Sequence, residues 1–285
     1  MKIIADIGGT YVRLAQVKDG LAHTIKKYNA RDFDGLKDVL ENYCKEHNLD
    51  NKGIISIAAA GADMDGQWVI TNNPDWSLAL TNSDWNIQST LNDFEAATYS
   101  LPALTPDERI TLKESHSNNK TLCLIGVGTG LGLGYYRDGV VQKTHGGHIP
   151  IASLNDKHGK AIKAIRATLD RDTVFEDIVS GPGFQKLRRI YGEDKALILF
   201  HEFLGIFAAT AAINGHAFDG LYLTGGVIQS LMDDDKFNVD LFTRSICFDC
   251  VPCVKQDLTA MPIYFITDPY PALKGLIHAQ SLSDH

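Results

Sequence analysis

Three glycine turns in this 285-residue sequence each follow directly on an apolar strand. Glycine lets the backbone approach an oxyanion closely and turn its N–H groups toward it, and a threonine hydroxyl adds a donor. The pattern favours phosphate binding, although each turn alone is also typical of a tight hairpin. Neither G-x-x-x-x-G-K-[ST] nor the G-x-G-x-x-G spacing is present, which disfavours the P-loop and Rossmann types of site. The turn residues are Gly8, Gly9 and Thr10, then Gly128, Thr129 and Gly130 with flanking Gly126 and Gly132, then Gly225 and Gly226.

Two acidic residues lie close to predicted element ends. Asp6 ends the first strand, where its carboxylate can hold Mg²⁺ through water, since magnesium keeps much of its hydration shell. Asp93 follows Asn92 at the start of a helix, where it is a candidate general base while Asn92 orients a phosphoryl acceptor. Asp6 can instead be a turn former, and Asp93 can instead complement the helix dipole.

Further polar residues lie in the second half of the chain. His145 and His148 flank two glycines, and imidazoles that both donate and accept hydrogen bonds are typical of a polyol-binding loop. Two histidines alone do not make a metal site. Glu176, four residues before the Ser180-Gly-Pro-Gly183 segment, is another candidate ligand. A structural turn and a solvated acid stay open as alternatives.

Five cysteines, an odd number, indicate a reducing compartment rather than a disulfide framework. Three of them form a C-x2-C-x2-C run at Cys247, Cys250 and Cys253. A ferredoxin-type run would continue with Cys-Pro at 257–258, but the chain has Asp-Leu there. Zinc with a distant fourth ligand stays open, and ordinary thiols are favoured.

Composition excludes several classes of protein. Apolar residues make up 44% and charged residues 22%, which excludes disordered and fibrous chains. A net charge of −8 argues against nucleic acid and anionic membranes as partners. An acid only six residues from the start is not typical of a signal peptide. The apolar stretch Leu199–Asn214 carries His201, Glu202 and Thr210, so we expect a buried helix in a soluble, cytoplasmic protein.

The elements that must position these residues alternate between strands and helices. A strand–glycine turn–strand pattern opens the chain, with strands predicted at 2–7 and 12–17. The pattern returns with strands predicted at 121–127 and 131–137, which is a weak internal repeat. Asn92 and Glu95 have capping-box spacing at the start of a helix. These patterns predict an α/β protein with two related lobes. Helical patterns cover 32–48, 158–170, 181–191 and 195–214, and strands are predicted at 54–60, 67–71 and 221–223, with a strand and a helix within 263–281.

Six segments, in order along nearly the whole chain, resemble bacterial glucokinases. Residues 6–15 (DIGGTYVRLA) resemble the phosphate-binding opening of that family, and 91–96 (LNDFEA) resembles the segment with its catalytic Asp. Residues 71–76 (TNNPDW) are similar to its sugar loop, although one residue longer. The other similar segments are 126–132 (second phosphate loop), 146–148 with Glu176 and 179–183 (sugar site), and 223–227 (adenosine side).

The resemblance implies a two-lobed actin-like (ribonuclease H-like) ATPase fold, in which duplicated mixed sheets with flanking helices enclose an interlobe cleft. It implies a small lobe of residues 1–110 plus a C-terminal helix at about 268–285, and a large lobe of 111–267. It also implies a cytoplasmic homodimer that uses ATP and Mg²⁺ to phosphorylate the 6-hydroxyl of glucose for glycolysis.

Family roles carry over onto matching positions. Asp93 would be the catalytic base, Asp6 would hold Mg²⁺, and Gly225 and Gly226 would flank the adenosine. The sugar-binding set would be Asn72, Asn92, Asp93, His145, His148 and Glu176. The phosphate-binding set would be Gly8, Gly9, Thr10, Gly128, Thr129 and Gly130.

The sequence departs from the family pattern in three places, two of them single residues and one a shortened stretch. His145 stands where the family typically has Glu, and a mismatched polar partner in a closed sugar site costs about 1–3 kcal/mol, enough to change the preferred hexose. Tyr11 stands where the family usually has Asn, and the stretch between Tyr191 and Leu197 is short. A same-fold kinase for another hexose or an amino sugar, a non-catalytic sugar-binding regulator and a chaperone-type ATPase clamp therefore stay open as alternatives.

Overall fold

The computed structural model describes residues 1–64, 67–70, 76, 78–80, 83–115, 120–151 and 153–283. The chain forms two compact units. Unit 1 comprises Met1–Leu104 and Pro269–His285, and unit 2 comprises Thr105–Asp268.

The helices and strands alternate along the chain. The first part contains β1 (Lys2–Ile7), β2 (Tyr11–Lys18), β3 (Leu21–Asn29), α1 (Leu36–Glu46), β4 (Lys52–Ala59), β5 (Gly61–Met64), β6 (Gln67–Ile70), β7 (Asp84–Asn92) and α2 (Asp93–Tyr99). The middle part contains β8 (Arg109–Lys113), β9 (Thr121–Val127), β10 (Leu131–Arg137), β11 (Val140–Lys143), α3 (Asp156–Arg166), α4 (Gly181–Tyr191) and α5 (Glu193–Gly215). The last part contains β12 (Gly220–Thr224), α6 (Gly226–Asp233), α7 (Val239–Ile246), α8 (Pro252–Ala260), β13 (Ile263–Ile266) and α9 (Pro271–Ser283).

The sheet of unit 1 has the strand order β3-β2-β1-β4-β7. β2 and β3 run antiparallel to their neighbours, whereas β1, β4 and β7 are parallel, so the sheet is mixed. Ile7 pairs with Ala59, and Ala59 pairs with Asn92. The first glycine turn and the start of α2 therefore leave the sheet at the same edge.

Helices cover the two faces of this sheet. Val12 and Leu14 are buried on the face that packs against α1, with Leu40. Ala15 lies on the opposite face and packs against Leu276 of α9. Successive side chains of β2 point to opposite faces of the sheet, and each face packs against a hydrophobic core. Apolar residues are therefore found on both faces of this strand.

Helix α9 also packs closely against α2. A Cβ atom on Gly275 would overlap the carbonyl oxygen of Ala96, so the two helices meet at the backbone. Gln280 of α9 donates to Ser56 of β4 inside the same core. These contacts hold the helix that begins with Asp93 against the sheet.

The sheet of unit 2 has the order β11-β10-β9-β12-β13-β8. β9 and β10 form an antiparallel hairpin, β12 and β13 run parallel to β9, and β8 closes the edge antiparallel to β13. This arrangement repeats the hairpin and parallel strands of unit 1. The prediction of duplicated mixed sheets with flanking helices is confirmed.

Helix α5 is the most apolar helix of unit 2. By length and composition alone it could cross a membrane, but most of it is buried inside the unit. Phe200, Phe203 and Phe207 have no exposed surface and belong to the main hydrophobic core. The structure confirms the prediction of a buried helix here.

Candidate active site

The first glycine turn is closed by backbone hydrogen bonds. The Gly8 N–H donates to the Tyr11 carbonyl at 2.9 Å, and the Ala30 N–H donates to the Thr10 carbonyl at 2.9 Å. A Cβ on Gly8 would lie 3.3 Å from the Tyr11 oxygen, which leaves little room for a larger residue. Gly9 and Thr10 lie at the tip, partly or fully exposed. The turn therefore offers an open, fixed backbone at the end of β1.

Asp6 lies two residues before this turn, on β1. It forms an ion pair with Arg13, in which the Arg13 Nη1 and the Asp6 Oδ2 are 2.7 Å apart. The register of β1 and β2 places the two residues opposite each other. Burial raises the pKa of Asp6, the Arg13 guanidinium opposes that rise, and the carboxylate of Asp93 adds to it. Asp6 and Asp93 are thus close enough to influence each other electrostatically.

Asn92 and Asp93 form the N-terminus of α2. The Asn92 Oδ1 accepts from the Phe94 N–H at 3.0 Å, and the Glu95 Oε2 accepts from the Asn92 N–H at 3.2 Å, which completes the predicted capping box. The Asn92 Nδ2 donates to the Gly61 carbonyl at 3.0 Å, so this side chain has a structural partner of its own.

The Asp93 carboxyl is partly buried, and its pKa is raised. Burial raises the pKa of its carboxyl, and hydrogen bonds from the backbone, including one from the Phe94 N–H at 2.9 Å, lower it. The net direction is upward. A carboxylate with raised proton affinity at a helix start is well suited to accept a hydroxyl proton.

The second glycine turn lies at the end of β9 in unit 2. The Gly128 N–H donates to the Gly130 carbonyl at 2.9 Å, and Thr129 is exposed at the tip. The Gly181 N–H at the start of α4 donates to the Gly128 carbonyl at 2.7 Å. The start of a helix is thereby joined directly to the turn.

Glu176 contacts the same turn. Its Oε2 accepts from the Leu131 N–H at 2.8 Å, and a Cβ on Gly130 would lie 2.8 Å from that oxygen. A larger residue at Gly130 would therefore displace the carboxylate from this position. The neighbouring Asp177 is held by a bidentate ion pair with Arg171, which fixes the short helical turn carrying Glu176.

His145 precedes a short helical turn that ends with His148, and the ring centroids of the two residues are 6.3 Å apart. Both side chains are exposed, whereas Gly146 and Gly147 are buried. A Cβ on Gly147 would overlap the Leu131 carbonyl of β10. The glycine pair therefore brings both imidazoles close to the strand that follows the second turn.

Gly225 and Gly226 follow β12, which pairs in parallel with β9. Gly225 has φ +106°, and a Cβ there would overlap the Val127 carbonyl at the end of β9. Gly226 has open space around it and begins α6. The second and third predicted turns consequently meet at one edge of the sheet of unit 2.

Asn72 lies outside the described residues. Among the residues that the structure does describe, no group of three or more His, Cys, Asp or Glu side chains could hold a metal ion, and this holds for the cysteine run as well. Cys247 and Cys250 are half-buried and Cys253 is exposed, all as free thiols.

Two contacts of the candidate site were not predicted. Arg13 neutralises Asp6, and Arg171 fixes the turn that carries Glu176. The first had a signal, because a hairpin with its turn at residues 8–10 places Asp6 opposite Arg13. The second had none, since nothing in the sequence distinguishes Arg171 from a solvated arginine.

Comparison with known proteins identifies the family. The glucokinase family model matches residues 3–195 and 189–282. A glucokinase of Photorhabdus laumondii is 26% identical over 312 residues, covering 96% of this chain and 94% of that protein.

Solved structures show the same fold. A glucokinase from an Antarctic psychrotroph superposes with a TM-score of 0.82 at 22% identity, covering 100% of this chain and 99% of that one. A Balamuthia mandrillaris glucokinase solved with glucose gives a TM-score of 0.69 at 18% identity, covering 98% and 92%. The chain therefore has the actin-like ATPase fold of the sugar kinases and belongs to the glucokinase family, as an ATP-dependent hexose kinase.

Proposed function

We propose that this enzyme transfers the γ-phosphoryl group of ATP to the 6-hydroxyl of glucose, with Asp93 as the general base. The observation that carries the proposal is the placement of Asp93. It begins α2 at the same sheet edge as the first glycine turn, and burial raises its pKa. A base of raised proton affinity beside a phosphate-binding turn fits deprotonation of an acceptor hydroxyl.

In the proposed reaction the hydroxyl proton of the sugar passes to the Asp93 carboxylate. The sugar oxygen then forms a bond to the γ-phosphorus as the bond to the leaving oxygen of ADP breaks. The capping-box side chain of Asn92 fixes the start of α2, so the base is oriented before the sugar binds. We assign the sugar hydroxyls to Asn72, Asn92, His145, His148 and Glu176.

The glycine turns would bind the nucleotide. We assign the phosphates to the two turns at Gly8, Gly9, Thr10, Gly128, Thr129 and Gly130, and the adenosine to Gly225 and Gly226. The N–H groups of Gly8 and Gly128 close these turns, so the candidate phosphate donors are the backbone N–H groups at the turn tips. Asp6 fits Mg²⁺ bound through water, because Arg13 contacts only Oδ2 and a single carboxylate suffices for an ion that retains its waters. Mg²⁺, when bound, would neutralise phosphate charge.

We further propose a cytoplasmic homodimer that supplies glycolysis. The free state of all five cysteines supports a reducing compartment.

The test is a coupled ATP-consumption assay against a panel of hexoses and hexosamines. We expect turnover on glucose, and we expect Asp93→Asn to lower kcat by about 10²- to 10⁴-fold because the general base is lost. Asp84→Asn, at an exposed position on β7 in the same unit, is the matched control.

Other outcomes would change the assignment. Turnover only on another hexose or an amino sugar would retain the mechanism and reassign the substrate, with His145 as the first residue to test. Absence of turnover, with a sugar that still raises the melting temperature, would favour a sugar-binding regulator instead.

A further inference from the structure

One face of the sheet of unit 1 is covered by helices over only part of its length. Ile4 and Ala15 are buried on this face against α9. Closer to the first glycine turn, the same face carries Asp6, Arg13 and Tyr11, because residues two apart along a strand share a face. Tyr11 is 41% exposed, so this end of the face is open.

Lys27 on β3 is the next cation on this open face. It pairs in register with Arg13, and Tyr11 is its diagonal neighbour across the strand pair. The charge of Arg13 is already matched by Asp6. Within the described part of the chain, no carboxylate forms an ion pair with Lys27. The positive charge of Lys27 is therefore available to a ligand.

The ring of Tyr11 fixes where that charge lies. The Lys27 Nζ is 3.6 Å from the centroid of the ring, a close cation–π contact. Tyr11 directly follows Thr10, and its carbonyl accepts the Gly8 N–H that closes the first glycine turn. The contact draws a long, flexible lysine side chain along the strand toward that turn.

We propose that Lys27 binds a phosphate group of the nucleotide at the first glycine turn and that Tyr11 is its positioning residue. The glycine turn supplies backbone N–H groups but no full charge, and Arg13 is occupied by Asp6. Lys27 supplies the missing charge. The proposal rests on the proposed function only in taking ATP as the ligand.

Lys27→Met removes the charge and keeps most of the aliphatic length of the side chain. Lys26→Met is the matched control, because Lys26 points to the other face and lies 3.7 Å from Glu46. Calorimetric Kd values for ATP, ADP and AMP are measured for both variants, together with KM for ATP and for the sugar.

We expect Lys27→Met to weaken ATP binding about threefold to fivefold, in the range of an exposed ion pair, with a smaller loss for AMP and an unchanged sugar KM. Lys27→Arg should restore ATP binding to within about twofold, and Lys26→Met should match the wild type. A Kd for ATP that changes less than about twofold in Lys27→Met, or an equal loss for AMP, would overturn the assignment.

Two substitutions separate the ring of Tyr11 from its hydroxyl. Tyr11→Phe keeps the ring and should retain the wild-type KM for ATP, whereas Tyr11→Leu should raise that KM with kcat unchanged. Equal KM values in both variants would overturn the positioning role.

Calorimetry also separates failure of this proposal from failure of the proposed function. If the wild type binds ATP but phosphorylates no sugar, the proposed function fails while the Kd values still decide the role of Lys27. A wild type that binds no nucleotide would overturn both.

Discussion

Asp93→Asn should abolish most of the kinase activity and at the same time stabilise the protein at neutral pH. The folded state raises the pKa of Asp93 above its ordinary value of 3.8 because the carboxylate is buried. The folded state therefore holds a proton at this site more tightly than the unfolded state does. Above the raised pKa, the ionised carboxylate lowers the free energy of unfolding.

The size of the effect follows from opposing contributions. Each tenfold difference in proton affinity between the two states is worth about 1.4 kcal/mol. Against the gain from removing a buried charge stands the loss of a carboxylate at the start of α2, about 0.3–1 kcal/mol. The Phe94 N–H keeps a partner in the variant, since it also donates to the Asn92 Oδ1. Removing this charge also relieves its repulsion of Asp6.

We therefore expect a net stabilisation of about 0.5–1.5 kcal/mol, typical of replaced functional residues. For a chain of this size that corresponds to a rise in melting temperature of about 1–6 °C. Melting temperatures of wild type and variant, measured from about pH 8 to about pH 4.5, give the pH dependence.

The sign of the pH dependence is specific. The advantage of Asp93→Asn should be full above the raised pKa and should shrink as the pH falls through it toward 3.8, since the wild-type carboxyl then becomes neutral. Asp84→Asn, on an exposed side chain, should change the melting temperature by less than about 1 °C. A lower melting temperature for Asp93→Asn at pH 8, or a difference that is constant with pH, would show that the ionised Asp93 carboxylate does not destabilise the folded state.

Two glycine substitutions give further predictions. Gly130→Ala should displace the Glu176 carboxylate, raise the sugar KM several-fold and leave the melting temperature nearly unchanged, because the contact is with a flexible side-chain end; an unchanged KM would argue against a sugar contact by Glu176. Gly275→Ala should lower the urea midpoint, by about 1–3 kcal/mol in free energy of unfolding, because the new methyl overlaps the Ala96 carbonyl. Gly159→Ala in α3 meets only the Ser153 hydroxyl and is the control; equal midpoints in both variants would contradict the close packing of α9 on α2.

Local patterns in the sequence predicted the elements with strong internal signals. The strands Thr121–Val127 and Leu131–Arg137 and the helix Gly181–Tyr191 begin and end where they were predicted. Apolar runs on both sides of a glycine-rich turn indicate the hairpin, and Ser180 caps the helix by accepting from the Gly183 N–H. The capping box at Asn92 was equally visible.

Strands that are stabilised mainly by pairing with adjacent strands were not predicted from the sequence. β3 (Leu21–Asn29) consists largely of exposed residues and has no apolar alternation, so its only signal is its pairing with β2. β8 is an edge strand of the same kind. The helical pattern predicted at 32–48 was too long, because Ala30–Asp32 forms a separate short turn before α1. The secondary structure of such segments depends on pairing with residues distant in the sequence, and a single sequence does not show that pairing.

The candidate site was predictable as a set of residue types but not as a geometry. The glycine turns and Asp93 were identified, and their roles stay predictions. Their common edge in unit 1 depends on the parallel order of β1, β4 and β7, which is a property of the whole sheet. The same holds for the contact between Glu176 and the second turn, whose members are 45 residues apart.

The close contact between α9 and α2 bears on how the enzyme is made. Unit 1 has all its strands once Asn92 has been synthesised, but the helix that covers Ile4 and Ala15 comes at residues 271–283, after the whole of unit 2. Unit 2 is continuous and can fold on the ribosome first. The helix that starts with Asp93 reaches its final packing only when α9 docks, so the proposed catalytic base is held in place only after all of unit 2 has been synthesised.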